Sequence, residues 1–218
     1  MHRPFMNYSL KQIEDFWQQV ERTLDQLLAS QGDTQFEADS LLAAYRLSLQ
    51  KIDRNLTFHF ERESDGGPVE MVFGCDGYPE SIHAVLSVVG AAPELTGISF
   101  RAFNERYDPV PAFVNLGDEL CEIDEFWCSL RELKGKLQLA IYMVDAPKIL
   151  EMDPRVEAAM ILLDALIGEY ELMTRVWSLD WYELPTDPVD YGLIPLSNLR
   201  HAFDGMKESV EPVGITIH

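Results

Sequence analysis

Residues 126–179 constrain the fold more than any other part of this chain. Phe126, Cys128 and Leu130 alternate with Trp127, Ser129 and Arg131. After Lys134-Gly135, the residues Leu137, Leu139, Ile141 and Met143 alternate with Gln138, Ala140 and Tyr142. Strand side chains point to opposite faces in turn, so two such runs around a short glycine-containing turn predict a hairpin. Asp153-Pro154 predicts a helix start, because the Asp oxygen can accept orphan amides and proline needs no donor there. The helix that follows is apolar almost all round from Val156 to Ile167, and Gly168 suits a left-handed stop. A long strand is expected next, with Met173, Trp177, Leu179 and Trp181 on one face beside Glu171 and Arg175.

The earlier chain falls into the same pattern of elements. Ser9 with Gln12, and Thr34 with Glu37, are capping-box pairs that open two helices, the first stopping near Gly32. In the first, Leu10, Ile13, Phe16, Trp17, Val20, Leu24, Leu27 and Leu28 form one apolar stripe. The two helices are expected to pair antiparallel over residues 1–52. Leu56, Phe58 and Phe60, then Val69, Met71 and Phe73 across Asp65-Gly66-Gly67, predict a second hairpin. A helix over 79–90 and a strand over 98–102 complete it. The order strand, strand, helix, strand therefore occurs twice, over 55–103 and 126–183.

A right-handed crossover would return each third strand parallel to the second, and it is expected beside the first, in the local order 2-1-3. The expectation is one domain over 1–218, of class α+β. In it, a helical hairpin is followed by two such units in a single, mostly antiparallel sheet with both helices on one face. Between the units, Pro109, Pro111, Gly117 and five acids from Asp118 to Glu125 mark a loop with a short edge strand near 112–116. Residues 184–192 read as a loop, 196–206 as a short helix and 213–217 as a terminal strand.

The formal net charge of −20 is the strongest global fact. A nucleic-acid binder needs Lys and Arg against phosphate, so that class is excluded. Lys and Arg are absent from 63–100 and again from 107–130. Such a surface keeps a protein soluble, and it also steers a basic partner. No apolar run approaches the ~20 residues of a membrane span, and the start has no apolar signal region, so a cytoplasmic home is expected. Cys75, Cys121 and Cys128 cannot all pair internally, and none forms a C-x-x-C, so they read as reduced thiols. The scattered histidines give no case for zinc, and no metal or other cofactor is expected.

No established catalytic motif is present, so no catalytic residue is assigned. The candidate binding residues are Arg101, Arg175, Asp164 and Glu169. Arg101 and Arg175 sit in equivalent third strands, where they either pair with neighbouring acids or line an anion site. Asp164 lies among apolar helix residues, where a buried carboxylate would be costly and proton-active. Helical geometry places Glu157 close to it, so both are expected on one solvated strip. His59 is expected as a half-exposed strand residue.

The runs Asn-Leu-Thr-Phe-His-Phe (55–60), Ala-Ala-Pro-Glu-Leu (91–95) and Leu-Leu-Asp-Ala-Leu-Ile-Gly-Glu-Tyr (162–170), continuing through Thr174-Arg175-Val176, resemble a family of uncharacterised bacterial cytosolic proteins. The resemblance spans 16–196. Its motifs lie where helices meet strands, and no activity or site residue comes with it. Charge and size together suggest a non-enzymatic protein that binds another protein, immunity- or regulator-like, with a basic partner and neither nucleic acid nor membrane. The alternative is an enzyme or small-molecule binder with a pocket between the sheet and the N-terminal helices.

Overall fold

Two long helices open the chain, α1 (Leu10–Ala29) and α2 (Gln35–Ile52). They belong to the first of two units, 1–103 and 104–218. The computed structural model describes residues 10–29, 35–62, 67–117 and 119–210. Ser9, Gly32, Thr34, the Asp65-Gly66 turn, Asp118 and the terminal run 213–217 lie outside the described residues. Ile13, Phe16, Trp17, Val20, Leu24 and Leu27 are all buried, as the apolar stripe requires, while Leu10 at its start stands exposed.

In the first unit β1 (Thr57–Arg62) pairs antiparallel with β2 (Val69–Gly74). The helix α3 (Ile82–Gly90) then crosses over to β3 (Ile98–Ala102). As expected, β3 runs parallel to β2, but it lies beside it, in the order β1-β2-β3 and not 2-1-3. One short helix covers only an adjacent strand position, so the crossover returns the chain next to the strand it left. Phe16, Trp17, Tyr45, Phe58 and Phe73 pack edge-on or tilted between the N-terminal helices and this sheet, with ring centroids 5.0–6.5 Å apart. Trp17 also donates its indole N–H to the Val88 carbonyl of α3 at 2.9 Å, which fastens α1 to the crossover helix.

The second unit begins with a hairpin of its own, β4 (Phe113–Leu116) and β5 (Glu119–Glu122). An edge strand is expected at 112–116, but its partner β5 is hidden in the sequence by Glu119 and Glu122 at its two ends. The main hairpin, β6 (Trp127–Leu133) and β7 (Lys136–Met143), turns through Lys134 and Gly135, both with positive φ (54° and 75°). Positive φ at both central residues matches the right-handed twist of the strands, and this is the geometry of a two-residue hairpin loop. The helix α4 (Pro154–Ile167) starts where expected, with the Asp153 carboxylate accepting the Arg155 amide at 2.9 Å. Leu137, Leu139, Ile141 and Met143 are buried in one core with Ala158, Leu162, Leu163 and Leu166 of α4.

Past Gly168 the structure departs from the expected long strand. Residues 169–175 form a second helix, α5 (Glu169–Arg175), and the strand β8 (Val176–Glu183) begins only after it. The alternation in 171–181 misleads because Leu172 and Met173 are adjacent and both buried, which suits a helix face and not a strand. Two acids in the first turn and Arg175 in the last also favour the helix. Strand β8 lies parallel to β7, and a short β9 (Ile194–Pro195) closes the other side, giving the order β8-β7-β6-β9. The chain ends in α6 (Leu199–Met206).

The α+β class and the helix pair hold, but the single sheet does not. The two ββαβ units form separate sheets, because β9 and not a strand of the first unit pairs with β6. Each copy covers one sheet face with its own helices, so joining the sheets is not needed to bury a core. Cys75, Cys121 and Cys128 are buried and form no disulfide.

Replacing Trp17 by Phe removes the bond to Val88 and part of the ring contact with Phe73 and Phe100. The expected loss is about 2 kcal/mol in urea unfolding. A loss under ~0.5 kcal/mol would mean that α1 and α3 are held together by other contacts.

Candidate functional site

A helix end leaves its last carbonyls without intrahelical partners. In α4 these belong to Asp164, Ala165, Leu166 and Ile167, and the last three residues are fully buried, so each carbonyl needs a protein partner. The Asp164 carbonyl accepts the Gly168 amide at 2.7 Å. Ala165 accepts from the Tyr107 amide at 3.0 Å and from Arg200 Nη2 at 2.8 Å, and Leu166 accepts from Arg200 Nε at 3.1 Å. Ile167 accepts from Arg106 Nε at 2.7 Å. Two guanidinium groups thus sit at the negative end of the helix dipole, where cations are favoured.

Gly168 makes the elbow between α4 and α5, with φ 91° and ψ 135°. This lies in a region essentially restricted to glycine, not in the left-handed helical stop that was expected. A β-carbon there would meet Arg106 Cγ and the Asn104 carbonyl at an ordinary 3.7 Å, so the backbone and not space demands the glycine.

Around the elbow, 104–107 runs as a strap. The Asn104 amide donates to Glu169 Oε2 at 3.0 Å, and the Asn104 carbonyl accepts the Glu169 amide at 3.0 Å. The Asn104 side chain also donates its Nδ2 to Asp164 Oδ2 at 3.2 Å. Glu169 is buried and Asp164 partly buried. Burial, and then the Glu169 charge, push the Asp164 carboxyl up to about 7, against the pull of the Asn104 bond. The solvated strip expected for Asp164 is therefore corrected. Glu157 is exposed, but Asp164 sits two turns further on, where the strap and α5 cover it.

The structure brings Asp164 and Glu169 together and leaves Arg101 and Arg175 apart from them. Arg101 belongs to the first unit. It bridges Glu61 Oε2 at 2.7 Å and Glu70 Oε2 at 2.8 Å, two acids directly opposed in β1 and β2. Like charges opposed across strands repel, and this guanidinium neutralises them. Arg175 is the last residue of α5, not a strand residue. It donates to the Lys207 and Val210 carbonyls at 3.2 and 2.9 Å. Both are engaged by protein acceptors. His59 is exposed on β1, beside Glu61 at 3.0 Å.

Asn104, Arg106, Arg200 and Asp204 escape the sequence. Arg106 binds both Asp204 oxygens at 2.8 and 3.0 Å and lies over the Phe203 ring, a partner nearly a hundred residues away. The one local signal is the Gly168-Glu169 step.

A second feature lies on the β4–β5 hairpin. Its register turns Val114 and Cys121 into the core against α4 and turns Phe113, Asn115, Leu120 and Glu122 outward. Phe113 is 54% exposed and Leu120 53%. They are diagonal neighbours on one face, close enough to form a single apolar spot. Glu119, Glu122, Asp124 and Glu125 around them are exposed.

The pH dependence of stability reads out the Asp164 environment. Its folded pKa lies above its unfolded one, so its contribution to stability is fully present below about pH 4 and is lost as pH rises through 7. At pH 8 Asp164→Asn, which removes the buried charge, is expected to be more stable than the parent protein by about 1–3 kcal/mol. The gap should close as pH falls towards 4, and a variant equally or less stable at pH 8 would refute the assignment.

No family model matches this chain, and no curated protein or solved structure does so either.

Proposed function

We propose that this protein works by binding a basic protein, and that the outward face of the β4–β5 hairpin is the contact. The observation that carries this is the pairing of exposed Phe113 and Leu120 inside a segment, 107–130, that has acids but neither Lys nor Arg. Apolar anchors ringed by one sign of charge suit a partner of the opposite sign. The charges raise the encounter rate and exclude wrong partners, and the apolar centre supplies affinity. Glu61 and Glu70 of the first unit, by contrast, share the Arg101 guanidinium. The alternative reading is an enzyme or small-molecule site between the sheet and the N-terminal helices, where the rings of Phe16, Tyr45, Phe58 and Phe73 pack against one another.

The test is affinity capture from the native host with the parent protein and with a Phe113→Ser, Leu120→Ser double variant. Both side chains point away from the core, so the variant should keep the parental melting temperature. The expected partner is basic, is released by salt, and binds the variant at least about tenfold more weakly. A partner held equally by both proteins, or one insensitive to salt, would count against the hairpin and the charge respectively.

A further inference from the structure

We infer that protonation of Asp164 governs how firmly the strap 104–107 is held against the α4–α5 elbow. This is independent of whether the hairpin binds a partner. Asn104 is the joint of the device. Its amide and its side-chain amide donate to two different carboxylates, Glu169 Oε2 and Asp164 Oδ2, while its carbonyl accepts from the Glu169 amide. The strap is then carried on by the Arg106 bond to Ile167 and the Tyr107 bond to Ala165.

The charged groups about Asp164 come from every neighbouring element. Glu169, Glu171 and Arg175 stand on α5, Glu105 and Arg106 on the strap, Arg200 and Asp204 on α6 with Lys207 just beyond, and Glu157 earlier on α4, and of these it is Glu169 whose charge bears on Asp164. Arg106 and Arg200 are engaged by the carbonyls of Ala165, Leu166 and Ile167, and Arg106 also by Asp204. Asp164 takes its hydrogen bond from an amide, not from a guanidinium.

When Asp164 loses its proton to solvent, two carboxylates in a poorly hydrated site face one another across Asn104. An ionised Asp164 accepts the Asn104 bond more strongly, but the cost of burying its charge, and then its repulsion from Glu169, outweigh that gain. When Asp164 is protonated the repulsion is gone, and its O–H becomes a donor that can reach a neighbouring oxygen. The strap is therefore held tightest on the acid side of neutrality and slackens on the alkaline side.

The experiment is amide NMR on the labelled full chain from pH 5 to 9, with hydrogen exchange read at the Glu169 and Tyr107 amides. The Asn104 and Glu169 resonances should titrate together with one midpoint near neutrality. After correction for the base-catalysed intrinsic rate, protection at both exchanging amides should fall about tenfold across that midpoint, the equivalent of one unit of coupled titration. In Asp164→Asn the titration and the loss of protection should vanish. In Glu169→Gln the Asp164 midpoint should move down, which keeps the test open if the first variant folds poorly. A midpoint below 5, a titration that survives Asp164→Asn, or protection that does not change would each overturn the inference.

Discussion

The second unit depends on how the carbonyl end of α4 is satisfied. Ala165, Leu166 and Ile167 are fully buried, so water cannot take the place of the missing helical partners. The donors come from the strap at 104–107 and from Arg200 at the start of α6, far apart in sequence. Meeting this one requirement ties the strap, α4, α5 and α6 to each other. It also explains the use of arginine in a chain poor in cations. A planar guanidinium offers several fixed donors, and Arg200 uses them to reach the Ala165, Leu166 and Tyr107 carbonyls together. Lysine, with a compact ammonium, would not span them.

The same arrangement creates the carboxylate pair. Turning the chain sharply at Gly168 brings Glu169 back towards Asp164, one helical turn earlier in the chain but across the elbow. With the guanidinium groups engaged by carbonyls, Asn104 is left between the two acids. A neutral amide can hydrogen-bond both without adding a positive charge, and burial, then the Glu169 charge, push the Asp164 carboxyl up to about 7. The elbow thus stores an electrostatic cost that a purely structural junction would avoid.

Local chemistry was legible wherever it was periodic or punctuated. The amphipathic stripe of α1, the Lys134-Gly135 turn, the Asp153-Pro154 start of α4 and the stop at Gly168 all follow from short-range rules, and the structure has each of them. What failed was of two kinds. Residues 169–175 carry apolar residues at spacings that a strand or a short helix can use, and burial of both Leu172 and Met173 decides for the helix. The pairing of strands across long separations, and the partners Asn104, Arg106, Arg200 and Asp204, have no local signature. Asp164 shows both at once. Its helix position beside Glu157 is readable, but the strap that covers it comes from sixty residues earlier. The outward face of β4–β5 was foreshadowed only by the run of acids, since β5 itself could not be recognised as a strand.

The clasp at the end of α4 is tested most directly by a double-mutant cycle on Arg106→Met and Arg200→Met, followed by urea unfolding. Methionine keeps much of the apolar stem and removes the donors, so it leaves buried carbonyls short of partners. Each single change is expected to cost about 2–3 kcal/mol, and because both act on one strap the two costs should couple by ~0.5 kcal/mol or more. Single losses within ~0.5 kcal/mol of the parent protein, adding without coupling, would contradict the claim that this helix end holds the second unit together.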